Sequence, residues 1–234
     1  MVSPIKTVLV IGANRGIGLQ FIKTLKQQGW STIGSIRPET RGDSTVDELI
    51  ATGSRIVEID YKDENTIKNA AKEFEDVKLD VLINCAGMAL HAPSWHDYSK
   101  ADLLSHFEVM TIGPLLACKH FLPHLLRAPR ATIANISSSM GSISTNIDAR
   151  VIGYKMAKAA LNQLTVTLAN DFKARGYTIG VVALEPGAIQ TRISKFNGDV
   201  DIVESVERMV ELIGGVMPEG EPRFLDWRGR GVGW

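Results

Sequence analysis

Apolar, β-rich segments alternate with helical stretches along the chain, and no other feature limits the fold as tightly. The first apolar run, Ile5 to Ile11, is nearly continuous through Val8, Leu9 and Val10. Such a run reads as a strand buried on both faces, as central strands of a parallel sheet are. Ile17, Phe21 and Leu25 then fall at i, i+4 and i+8, which predicts a helix ending near Gly29. Ser31 to Ile36 reads as a second strand, and Arg55–Asp60, Asp80–Asn84, Ala131–Ser137 and Thr178–Leu184 as later ones. Phe224–Leu225 closes the series as a short last strand. Helical patterns cover about Glu64–Phe74, Lys100–Leu126 (subdivided), Tyr154–Arg175 and Asp201–Ile213. Helical crossovers between strands mean βαβ units, hence α/β architecture with a mostly parallel, seven-stranded sheet covered on both faces. The loop Arg37–Val46 is polar but too short to divide the chain, so residues 1–234 read as a single doubly wound domain. Ligand-binding loops belong after the strand C-terminal ends, here 88–98, 138–153 and 187–200.

Charge and cysteine content narrow the function classes. The 26 Lys+Arg and 26 Asp+Glu cancel, so there is no basic surplus of the kind a nucleic-acid backbone selects. A neutral chain that is 44% hydrophobic is not a disordered one. Two cysteines, Cys85 and Cys118, cannot frame a disulfide scaffold, which points to a reducing, cytoplasmic setting. No run of 18 apolar residues predicts a membrane span. The opening Met1-Val2-Ser3-Pro4 runs straight into a strand pattern, unlike a signal peptide.

Gly12-Ala13-Asn14-Arg15-Gly16-Ile17-Gly18 stands where the first strand hands over to the first helix. Glycines permit a tight turn and let a pyrophosphate approach the backbone, while the helix start offers free N–H groups and a positive dipole end. The spacing G-x-x-x-G-x-G resembles that of the short-chain dehydrogenase/reductase family, whose members share a Rossmann fold. Ile11 stands where that family usually has Thr. The second strand ends at Ser35-Ile36-Arg37 without the carboxylate that would accept bonds from the ribose hydroxyls of NAD. Arg37 and Arg15 could instead converge on one 2′-phosphate, and the resemblance implies the same preference for NADP(H). Asp60 resembles the family's adenine-contacting Asp. Asn84-Cys85-Ala86-Gly87 resembles its Asn-Asn-Ala-Gly motif with Cys85 replacing the second Asn. Pro186-Gly187-Ala188-Ile189-Gln190-Thr191 resembles the segment that flanks the nicotinamide amide and phosphates.

Tyr154 and Lys158 are i, i+4 at the start of a helical pattern and so share one face. A phenol titrates near 10. A neighbouring ammonium pulls that value toward neutrality, which suits a group that gives a proton to a carbonyl oxygen or takes it back. Ser137-Ser138-Ser139 ends the strand before that helix, where parallel sheets bind ligands. Any of the three hydroxyls could orient a substrate oxygen; the resemblance points to Ser138. Ser138, Tyr154 and Lys158 then match the family's catalytic triplet. The resemblance runs from Lys6 to about Thr191, and the tail Trp227…Trp234 is similar to small carbonyl reductases of the sniffer type. It departs at Met110, where many members carry an Asn whose bound water links the catalytic Lys to solvent. Either Thr111 or a backbone carbonyl holds that water instead, or proton resupply is slower, or the chemistry differs.

Met88, Leu90, His91, Trp95, Met140, Ile147, Ile152, Ala188 and Phe196 are expected to line the substrate space, and their apolar character suits a bulky hydrophobic or aromatic carbonyl compound. The short span from Thr191 to Asp201 leaves no room for a large lid. His91, His96, His106, His120 and His124 form no carboxylate-backed cluster and read as surface or interface histidines, with no metal site. Apolar surface on Phe107–Leu126 and Tyr154–Phe172 predicts a homodimer or homotetramer. The expected activity is NADPH-dependent reduction of a ketone or aldehyde. The rivals are a non-redox dehydratase or cyclase on the same scaffold, and a non-catalytic NADP(H)-binding protein.

Overall fold

A strand with apolar side chains on both faces needs a covering layer on each, and β1 (Thr7–Ile11) has them. Leu9 and Ile11 face a core with Leu82, Ile133, Phe121 and Phe172. Val8 and Val10 face a second core with Ile83, Phe21, Val206 and Met209. This period-two division explains the near-continuous apolar run. The computed structural model describes residues 5–234; the opening Met1–Pro4 lies outside them.

After β1 come α1 (Gly16–Gln27), β2 (Ser31–Ile36), α2 (Asp47–Ala51), β3 (Arg55–Glu58), α3 (Glu64–Glu73) and β4 (Val81–Asn84). The second half contributes α4 (Lys100–Phe107), α5 (Gly113–Leu126), β5 (Ala131–Ile136), α6 (Ile152–Ala174), β6 (Ile179–Glu185), α7 (Ile202–Gly214) and β7 (Arg223–Asp226). All seven strands are parallel, in the order β3-β2-β1-β4-β5-β6-β7. The order reverses between β1 and β4, and a doubly wound sheet opens its ligand crevice at such a switch point.

Several boundaries differ from the sequence expectation. Ile5 is 66% exposed, and the first strand begins only at Thr7. The third strand stops at Glu58, so Asp60 lies in the following turn. The polar stretch 37–46 is not a plain loop: two 3-10 turns, Pro38–Thr40 and Ser44–Val46, lead into α2, and the Asp43 side chain accepts the Thr45 N–H at 2.8 Å. The run Lys100–Leu126 is subdivided, by a π turn at Glu108–Ile112. By length and composition alone this run could cross a bilayer, but 44% of its most apolar window is buried in the fold. Two of the expected surface histidines are core residues: His106 is 0% and His124 4% exposed. His106 Nε2 accepts the Leu90 N–H at 3.1 Å and its Nδ1 bonds the Asp102 carbonyl, a pairing that satisfies a buried imidazole without a metal.

Candidate active site

The glycine loop is built around close approaches. Gly12 has φ +87°, and a Cβ there would lie 2.7 Å from the Ala86 Cα. A Cβ on Gly18 would overlap the Gly12 carbonyl. No side chain caps the N-terminus of α1, and no acidic residue stands in its first turn. The N–H groups at that end are thus left to an anion, which is the fit a dinucleotide pyrophosphate requires. Gly12 N–H donates to Ser35 Oγ at 2.9 Å, and Asn14 Nδ2 donates to Thr45 Oγ1 at 2.8 Å, bracing the turn from β2 and the segment after it.

Positive charge gathers beside this turn. Partial burial lowers the Arg15 guanidinium from its ordinary value, and Arg192 and Arg37 push it the same way while Asp43 opposes them. Arg37 and Arg192 thus lie close enough to Arg15 to act on its charge, as a phosphate site needs. Arg37 Nη1 also pairs with Glu39 at 2.8 Å. Arg192, carried by the loop after β6, is the member that sequence reading missed; its position directly after Thr191 was the available signal.

The three serines separate by environment. Ser137 is buried and donates to Asn162 Oδ1 at 2.6 Å, so its hydroxyl is committed to α6. Ser139 is held through its backbone, whose N–H donates to Glu185 Oε1 at 3.0 Å. Ser138 lines the cavity, and its hydroxyl accepts the Met140 N–H at 3.2 Å to cap the short turn Ser139–Gly141. That turn packs on α6: a Cβ on Gly141 would lie 2.7 Å from the Lys158 carbonyl carbon. Just before α6, Val151 adopts left-handed backbone (φ 46°, ψ 49°), strained for a β-branched residue.

Tyr154 and Lys158 do share one face of α6, but their electrostatics differ from the expectation. Burial pushes the Tyr154 phenol up to about 12; hydrogen bonding with Ser138 opposes this and the Glu185 charge adds to it. Burial brings the Lys158 ammonium down to about 8. Its Nζ donates to the Ile136 carbonyl at 2.6 Å and lies 5.7 Å from the Tyr154 ring centroid, so desolvation outweighs its pull on the phenol. Met110 is fully buried in the π turn, and Thr111 Oγ1 donates to the Ala157 carbonyl at 2.9 Å rather than toward Lys158.

A cavity of about 760 Å³ opens over the strand ends. Among the expected cofactor and catalytic residues its wall includes Ile17, Gly87, Ser138, Tyr154, Lys158, Pro186, Gly187, Ile189 and Thr191. Gly12, Asn14, Arg15, Gly16, Gly18, Arg37, Asp60, Asn84 and Ala86 do not line it. The Asn84 side chain instead accepts from Tyr61 Oη at 2.7 Å and donates to Asn135 Oδ1 at 2.8 Å, joining β4 to β5 inside the core. The Asp60 carboxylate accepts the Lys62 N–H at 3.0 Å. Of the expected substrate-side residues, His91, Trp95, Met140 and Ala188 line the cavity. Met88, Leu90, Ile152, Ile147 and Phe196 do not, and the last two are 95% and 65% exposed. Tyr98, Arg150 and Val151, inside the expected loops 88–98 and 138–153, also line it, and so does Glu185, which lies outside them. Burial pushes the Cys85 thiol on the same wall up to about 12, which makes it a poor nucleophile. Among the described residues, no group of three or more His, Cys, Asp or Glu is placed to hold a metal.

Residues 6–200 match the family model described as short chain dehydrogenase. The NADPH-bound carbonyl reductase from chicken fatty liver is similar at a TM-score of 0.90 and 31% identity, covering 98% of this chain and 99% of that one. The carbonyl reductase Sniffer of D. melanogaster is similar at 0.88 and 25%, covering 99% and 100%. The protein named C-signal in Myxococcus xanthus is 33% identical over 156 residues, 67% of this chain and 93% of its own.

Proposed function

The chain belongs to the short-chain dehydrogenase/reductase family as an NADP-dependent oxidoreductase, and we propose that it reduces a ketone or aldehyde to the alcohol. When bound, NADPH supplies the hydride. Tyr154 gives its phenolic proton to the carbonyl oxygen, and Ser138 orients that oxygen by a hydrogen bond. Lys158, one turn along α6, is the cation that favours the phenolate left behind. The observation that carries this reading is that Ser138, Tyr154 and Lys158 line one cavity at the switch point of the sheet.

Arg15, Arg37 and Arg192 supply the charge for a 2′-phosphate, while the glycine loop and the open end of α1 receive the pyrophosphate. Trp95, Met140, Ile193 and Ala188 on the cavity wall favour a bulky hydrophobic or aromatic carbonyl compound. One domain holds both sites, with specificity carried by the loops 88–98, 138–153 and 187–200. Unpaired Cys85 and Cys118 suit a reducing compartment, and we place the protein in the cytoplasm.

The test is NADPH oxidation by the purified protein across aliphatic, alicyclic and aromatic carbonyls, with NADH alongside. Turnover with NADPH, greatest for the bulky aromatic members, is expected. A second reading, a nucleotide-binding signalling protein without turnover, is favoured by the likeness to C-signal and by Met110 at the relay position. Tight NADPH binding with no oxidation on any carbonyl would select it.

A further inference from the structure

Glu185 is the last residue of β6, half-buried, and its side chain lines the cavity that holds Tyr154. One carboxylate oxygen accepts the Ser139 N–H at 3.0 Å. This bond crosses from β6 to the turn that presents Ser138, so the residue braces one catalytic group while it shares the cavity wall with another. We propose that Glu185 is a positioning residue: it fixes the Ser138 turn, and its charge sets the pH at which Tyr154 changes from proton donor to proton acceptor. The proposal rests on the reading of Tyr154 as the proton donor.

The physical argument is electrostatic. A carboxylate near a buried phenol disfavours the phenolate, because two like charges in a poorly solvated cavity repel. The Glu185 charge acts on Tyr154 in that sense, on top of burial. The other titratable groups on the cavity wall are Cys85 after β4, His91 and Tyr98 before α4, Arg150 before α6 and Lys158 on α6. Arg150 pairs with Asp148 at 2.8 Å, a carboxylate it shares with Lys155 at 2.7 Å, and the Lys158 ammonium is turned to the Ile136 carbonyl. From β7, Asp226 is the register partner of Glu185, and Arg230 offsets it at 2.6 Å. Among the described residues, Glu185 is the carboxylate on this wall and makes no ion pair.

Glu185→Gln keeps an oxygen for the Ser139 N–H and removes only the charge. The alkaline limb of carbonyl reduction, and the matching rise of alcohol oxidation, should both move to lower pH by on the order of one unit. Ultraviolet titration of tyrosinate, taken as parent minus Tyr154→Phe in each background, should shift alike. Melting temperature and NADPH affinity should stay near those of the parent. A purely structural role predicts limbs that do not move, and that result in a folded Gln variant overturns the proposal. If Gln does not fold, Glu185→Ala serves the same test, with a raised KM added to the shift. A Tyr154→Phe protein as active as its parent would overturn the proton-donor reading itself. An inactive Tyr154→Phe with an unmoved limb in Glu185→Gln would overturn only the role of Glu185.

Discussion

Lys158 is 5% exposed, and burial brings its ammonium down to about 8 from the ordinary 10.5. Between those two values the unfolded chain binds more protons than the folded one, so this residue makes stability rise with pH from about 8 to 10.5. The full span corresponds to on the order of 3 kcal/mol. Lys158→Met removes that dependence. Without cofactor, the variant should show a flatter plot of unfolding free energy against pH, with its advantage over the parent shrinking as pH rises through the window. Chemical denaturation across the alkaline range measures it, and parallel curves would contradict it. At this scale the sequence was legible where spacing carries chemistry. Tyr154 and Lys158 at i, i+4 needed only the helix period. Ser138 could not be told from its neighbours without knowing that Asn162 takes Ser137 and Glu185 takes the backbone of Ser139. The upward shift of Tyr154 was also hidden, because desolvation depends on packing that spacing does not encode.

The turn Ser139–Gly141 and the helix α6 meet without a gap. A Cβ on Gly141 would lie 2.7 Å from both the carbonyl carbon and the Cβ of Lys158, so Gly141→Ala must push the turn outward. Overpacking of this kind costs about 1–3 kcal/mol. A displacement of Ser138 near 1 Å should lower kcat roughly 10–100-fold while NADPH affinity holds. Denaturant unfolding together with steady-state kinetics checks both, and parental stability and kcat would contradict the packing account. The strands were readable because both cores impose a strict pattern on them, as Leu9 and Val10 show on opposite faces. The short helix α2 and the π turn at Glu108–Ile112 were not. The first is five residues after a polar stretch, and the second is a shift in backbone pairing whose kind and place the helix pattern of Lys100–Leu126 does not show, though a subdivision was expected.

Across the whole molecule, the neighbouring segments α4, the π turn, α5 and α6 expose apolar side chains: Leu104, Ile112, Leu115 and Met156 are each 43–50% exposed. We propose these helices as the contact between copies of the chain. Sedimentation velocity should then give a dimer or tetramer for the parent and a monomer for Leu115→Glu; a monomeric parent, or a variant of unchanged mass, would contradict it. The sheet itself was predictable because alternation leaves few topologies, whereas the cavity rim was not: Ile147 and Phe196 point to solvent, while Glu185, outside the expected loops, lines the cavity. Loop direction follows from tertiary contacts such as Lys155 Nζ on Asp148 at 2.7 Å, which no period announces. In the proposed function this fold turns over a carbonyl compound with Tyr154 as its acid. The direct measurement is NADPH oxidation by parent and Tyr154→Phe on the same carbonyl, with NADPH binding followed by fluorescence in both. The account predicts equal binding and a fall in kcat/KM on the order of 10²–10⁴-fold in the variant. Equal turnover by the two proteins, or none by either, would contradict it.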